Sequence, residues 1–79
     1  MDIIVAEEFE IMTPKHASKP GLLINVHLRK TPSEYEMAEY AKNMIAEKNS
    51  AKLIAVSVVF WLQVPNKQRL QCIEHWNIN

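Results

Sequence analysis

Several groups of residues in this chain have the types from which sites are made. Cys72 and His75 stand in a C-x-x-H spacing, and Glu7, Glu8 and Glu10 crowd one short stretch. Asn25, His27 and Arg29 alternate along another, Lys15, His16 and Lys19 gather between two prolines, and Trp61 and Trp76 are the only tryptophans. A thiolate and an imidazole can share a metal or act as nucleophile and base. Either use needs both side chains on one side of the backbone. Positions three apart on a strand project to opposite faces, because side chains alternate with period two. Neither a metal site nor a cysteine–histidine pair is therefore expected, and Cys72 reads as a small buried hydrophobe.

The glutamates have the chemistry of general acids, general bases or metal ligands. Glu8 and Glu10 share a face, but no other group converges on them in the sequence. Such charges keep an exposed strand soluble and discourage edge pairing. Asn25, His27 and Arg29 read first as solvated edge residues, and as the polar rim of an apolar patch if that patch has a function. His75 is a second rim candidate, whose protonation would act against an interface. The basic trio has no interleaved aromatics, so nucleic-acid binding is not expected. Gly21 is the only glycine, which excludes both the P-loop and the dinucleotide fingerprint. No serine stands in a nucleophile elbow. No catalytic, cofactor-binding or metal-ligating residue is assigned, and no cofactor is implied.

Composition narrows the remaining choices. Seventy-nine residues with 48% apolar content make a single domain, residues 1–79, near the lower limit for a self-sufficient core. One cysteine allows no internal disulfide, which leaves efficient packing or oligomerisation as the staple. Nine basic and nine acidic residues cancel, so no strong field favours nucleic acid or an anionic membrane. The opening MDIIVAEEFE has no basic leader, and the longest apolar run is far below the roughly 20 residues of a membrane span. These features, with an initial methionine, predict a complete small cytoplasmic reading frame.

The elements that must position these side chains follow from periodicity. Residues 3–12 predict a strand, buried on both sides near its start and acidic beyond. TPKHASKPG is a loop. Leu22, Ile24, Val26 and Leu28 alternate with Leu23, Asn25, His27 and Arg29, predicting a half-buried strand at or near an edge. TPSE predicts a helix start with Thr31 as N-cap, Pro32 at N1 and Glu34 closing a capping box. The helix buries Met37, Ala38, Ala41, Met44 and Ile45, with Tyr40 flanking, and ends at Asn49–Ser50. KLIAVSVVFWLQ is a third strand, VPNKQ a turn, and residues from about Arg69 to Asn77 a fourth strand.

The expected fold class is α+β: two layers, a four-stranded, mainly antiparallel sheet with one helix on one face, in the order β-β-α-β-β. Strand order 2-1-3-4 makes every neighbour antiparallel and centres the two most apolar strands, and is favoured over a mixed 1-2-3-4. One helix covers about half of one sheet face. The third strand is nevertheless apolar on both parities. Ile54, Val56, Val58, Phe60 and Leu62 are expected to meet the helix. The other face, carrying Leu53, Ala55, Ser57, Val59 and Trp61, has no cover within the chain. Ile73 and His75 of the fourth strand are assigned to it, with Ile4, Ala6 and Leu23 at its margins. An uncovered apolar face of this size predicts association. The expected function is that of a small non-catalytic binding protein that forms a homo-oligomer, a dimer first, and binds a further protein partner, with no role for a membrane. A small-ligand binder or small enzyme, with its pocket between sheet and helix or at the dimer seam, is the alternative.

Overall fold

The computed structural model describes residues 1–78. Strands β1 (Ile4–Met12) and β2 (Gly21–Leu28) are followed by helix α1 (Glu34–Lys48) and strands β3 (Ala55–Leu62) and β4 (Gln68–Trp76). The class is the expected one, a four-stranded, mostly antiparallel sheet with a single helix. The strand order is β1-β2-β3-β4, not 2-1-3-4. β1 pairs antiparallel with β2, β2 parallel with β3, and β3 antiparallel with β4.

The reason lies in the polar residues of β2, which make it an interior strand rather than an edge. Ile24, Val26 and Leu28 are fully buried on one side. On the other side Asn25 accepts a hydrogen bond from Trp61 Nε1 of β3, and the His27 ring bonds the Glu8 carboxylate of β1. Each polar group is met by a neighbouring strand, so β2 tolerates two flanks. β1, with three acids in nine residues, takes the edge instead. Joining two adjacent parallel strands through one helix is the ordinary crossover unit.

Helix α1 starts two residues later than the sequence predicts. Ser33, in extended conformation (φ −71°, ψ 160°), is the N-cap. Its hydroxyl accepts from the Glu36 N–H at 3.1 Å, and the Glu36 carboxylate accepts from the Ser33 N–H at 3.1 Å. TPSE and SEYE both fit the capping-box pattern; burial of Pro32 as part of the incoming chain selects the second. The helix buries Met37, Ala41 and Met44, while Ala38 stays exposed. At its far end Asn49 exchanges side-chain hydrogen bonds with Asn77, whose amide also donates to the carbonyls of Ser50 and Leu53.

The core is one cluster between helix and sheet. Val56, Val58 and Phe60 of β3 meet Ile24, Val26 and Leu28 of β2 beneath Met37, Ala41 and Met44. Tyr40 packs edge-on against Phe60, with ring centroids 5.9 Å apart. Fully burying one such side chain contributes about 1.5–3 kcal/mol.

The two candidate caps are separable. Ser33→Ala should lower the urea-unfolding free energy by about 1 kcal/mol, whereas Thr31→Ala should change it by less than about 0.5 kcal/mol. The reverse ranking would restore Thr31 as the cap.

Candidate functional site: the open face of the sheet

Side chains on the face away from α1 form rows, one residue from each strand. Ala6, His27, Trp61 and Arg69 make the row at one end, followed by Glu8, Asn25, Val59 and Cys72. Next come Glu10, Leu23, Ser57 and Glu74, and at the other end Met12, Gly21, Ala55 and Trp76. Three of the four middle positions of the last two rows, Ser57, Gly21 and Ala55, carry small residues. The result is a hollow of about 400 Å³, its centre lined by Gly21, Ala55 and Ser57, with Met12 and Pro14 on one side and Trp76 on the other. A Cβ added at Gly21 would lie 3.6 Å from the Ala55 carbonyl oxygen, an ordinary contact. Glycine is therefore not demanded by strain here; it leaves the hollow deeper.

Of the residues expected on this face, Ala55, Ser57, Val59 and Trp61 lie on it. Three do not. Leu53 packs against the helix-side core, and Ile54 lines the hollow in its place, because regular pairing begins only at Ala55. Ile73 packs against the same core, opposite Val58. His75 lies opposite Val56 and lines a shallow groove with Lys42 and Asn49 of the helix side. The cause is a bulge between Phe60 and Trp61, where the pairing steps from Gln71 to Arg69 and leaves Leu70 extra. A register shift of one residue exchanges the two faces of everything beyond it. Leu70 and Ile73 thereby enter the core, and Cys72, Glu74 and Trp76 turn outward. A second bulge, between Ile4 and Ala6, carries Ile4 to the core side in the same way. Bulges leave little trace in alternation alone.

The polar groups of the open face are mostly paired with one another. Trp61 Nε1 donates to Asn25 Oδ1 at 2.8 Å, and the Lys67 ammonium lies 4.6 Å from the centre of the Trp61 ring. Trp76 Nε1 donates to Glu74 at 3.3 Å, and the Cys72 thiol makes a weak 3.9 Å contact to the same carboxylate. His27 is only 5% exposed and bonded to Glu8, while among the described residues its Nδ1 has no hydrogen-bond partner. Arg29 is turned away from this set, donating to the Asp2 carbonyl at 2.7 Å. Lys15 and His16 are exposed in the β1–β2 loop, away from the rows. Cys72 pairs across from Val59 and His27 from Trp61, two rows of different strands, so the thiol and the imidazole are not neighbours. Among the described residues no group of three or more His, Cys, Asp or Glu side chains is placed to hold a metal ion. No helix among them is long and apolar enough to cross a membrane.

Partial burial pushes the Cys72 thiol above the ordinary thiol value, the Glu74 carboxylate adds to this, and Arg69 pulls partly back. The neutral thiol therefore dominates at physiological pH, which suits a packing role more than a nucleophilic one. Removing the Glu74 charge should lower the thiol pKa and enlarge the thiolate fraction. Glu74→Gln is expected to speed Ellman's-reagent labelling of Cys72 at pH 7.5 by about two- to fivefold in dilute protein. An unchanged or slower rate would show that access, not charge, controls this thiol.

No protein family, curated protein or solved structure matches this chain. The open face is the surface that its own geometry singles out.

Proposed function

We propose that this is a small non-catalytic binding protein that acts as a homodimer, packed sheet on sheet through the open face. The observation that supports this is a face on which Leu23, Ile54, Trp61 and the exposed Trp76 surround the buried Ala55 and Val59, with no helix or strand among the described residues packed over it. Four strands of eight or nine residues present roughly 500 Å². Two such faces reach about 1,000 Å², the lower bound for a specific interface. The dimer is accordingly a weak one, and a reducing cytoplasmic setting suits its single free Cys72.

The rows favour one arrangement. Large side chains, His27 and Trp61, occupy one end of the two central strands, and the small Gly21 and Ala55 the other. A two-fold axis lying across the strands exchanges the ends. It brings Trp61 of each protomer over the partner's Gly21 and Ala55, filling the hollow, and Arg69 over the partner's Trp76, a cation–π pairing. Glu8 and Glu10 meet their counterparts only at the β1 margin, where the roughly 30° angle between packed sheets separates edges and water screens charge.

Sedimentation equilibrium from low micromolar to millimolar chain should show a monomer–dimer equilibrium. Trp76, 54% exposed, can be changed without opening the core. Trp76→Glu should give a folded monomer with an unchanged far-ultraviolet spectrum, and His75→Glu, on the helix side, should leave the dimer intact. A single-chain mass at every concentration would overturn the reading. A second reading has an observation of its own: about 400 Å³ is the size of a small-ligand site, with Asn25, Ser57, Arg69 and Glu74 as polar groups around it. It predicts stoichiometric binding of an apolar aromatic dye to the monomer, abolished by Gly21→Leu.

A further inference from the structure

A different surface, independent of the open face, is the outer edge of β1. Among the described residues the strand pairs with β2 alone, so the backbone N–H and C=O groups along its other side face no strand there. α1 lies over β3 and β4 and meets β1 at its margin, through the Tyr40 hydroxyl on Glu7 and the Lys48 ammonium 5.3 Å from the centre of the Phe9 ring, which leaves Phe9 52% and Ile11 62% exposed on the helix side. Between Phe9 and the helix runs a groove of about 390 Å³ that also takes in Glu7, Tyr40, Met44 and Lys48. Glu8 and Glu10 project to the opposite side of the same strand. β1 thus presents Phe9 and Ile11, with Glu7 bonded to Tyr40, on the helix side and Glu8 and Glu10 on the other, without a single basic residue.

We propose that the β1 edge takes up an extended segment of a partner protein by strand addition, and that the segment alternates apolar residues with lysine or arginine. Backbone pairing supplies the affinity, and alternate side chains supply the choice of partner. On the helix side, apolar residues of the added strand lie beside Phe9 and Ile11 and over the groove. On the other side, cations lie beside Glu8 and Glu10, where opposite charges across neighbouring strands are favourable. The same charges argue against a second copy of this chain as occupant. An antiparallel β1–β1 pairing centred on the strand sets Glu8 against Glu8, or Glu7 against Glu10, in direct opposition.

The test uses three fluorescein-labelled decapeptides: alternating lysine and valine, alternating glutamate and valine, and the lysine peptide N-methylated at every second residue. By fluorescence anisotropy at low salt, the lysine peptide should bind at least about tenfold more tightly than the glutamate peptide. N-methylation on the edge-facing amides should abolish binding, and Glu10→Lys should weaken the lysine peptide and strengthen the glutamate one. Amide exchange should slow along β1 alone. Trp76→Glu should bind the lysine peptide as well as the unaltered chain does, which separates this site from the dimer face. Equal affinity for the two charged peptides, indifference to N-methylation, or protection on β4 or the open face would each overturn the proposal.

Discussion

One helix cannot cover two faces of a four-stranded sheet, and the rest of this molecule follows from that limit. α1 has 15 residues, about 22 Å of rod about 10 Å wide. Laid over β3 and β4 it seals Val56, Val58 and Phe60 completely, together with the β2 residues beside them. Nothing is left for the far side of the sheet, and on the near side β1 is only touched at its margin, at Glu7 and Phe9, while Ile11 stays exposed. The chain must therefore make those two surfaces tolerable to water or give them to something else, and it has treated them differently.

On the far side the treatment is a sorting by size. Two bulges, one near each edge of the sheet, each turn a large aliphatic residue toward the helix: Ile4 in β1, and Leu70 with Ile73 in β4. A regular β1 would have left Ile4 on the open face, and a regular β4 would have left one of Leu70 and Ile73 there, since residues three positions apart on a strand project to opposite faces. What remains there is mainly small, polar or indole-bearing, with Met12, Leu23, Ile54 and Val59 among it, and the polar groups are largely satisfied by each other. The apolar cost of exposure is thereby lowered without being removed, since Leu23, Ile54 and both tryptophans still border the hollow. A surface kept soluble yet still partly apolar is what a reversible interface requires.

How much of this could be read in the residues differs by element. The four strands, the helix and their order in the chain follow from period-two and period-3.6 patterns, and Val56, Val58 and Phe60 were assignable to the helix side by bulk alone. The strand order was not, because the rule of centring the most apolar strands treats Asn25 and His27 as solvent-facing. Their partners, Trp61 and Glu8, lie 36 and 19 residues away, and only the folded sheet brings them together. The face assignments of Ile73 and His75 failed for a more local reason. Alternation fixes which residues of a strand share a face but not which face it is, and one extra residue at Leu70 inverts the answer. Leu53 was misplaced because the apolar run is longer than the strand, whose pairing starts at Ala55.

The near side shows why the acids of β1 matter. Glu7 accepts from the Tyr40 hydroxyl and Glu8 bonds His27, so two of the three carboxylates also anchor the strand to the helix and to β2. Were solubility their only purpose, lysines would serve as well on an edge, and lysine is the commoner device. Carboxylates at these positions accept hydrogen bonds that an ammonium cannot. They hold the edge strand in register with the body of the protein while keeping it repulsive to its own copy. The carboxylates of β1 thus serve its internal pairing first: Glu7 and Glu8 are tied to the helix and to β2, and Glu10 is left on the exposed margin of the strand.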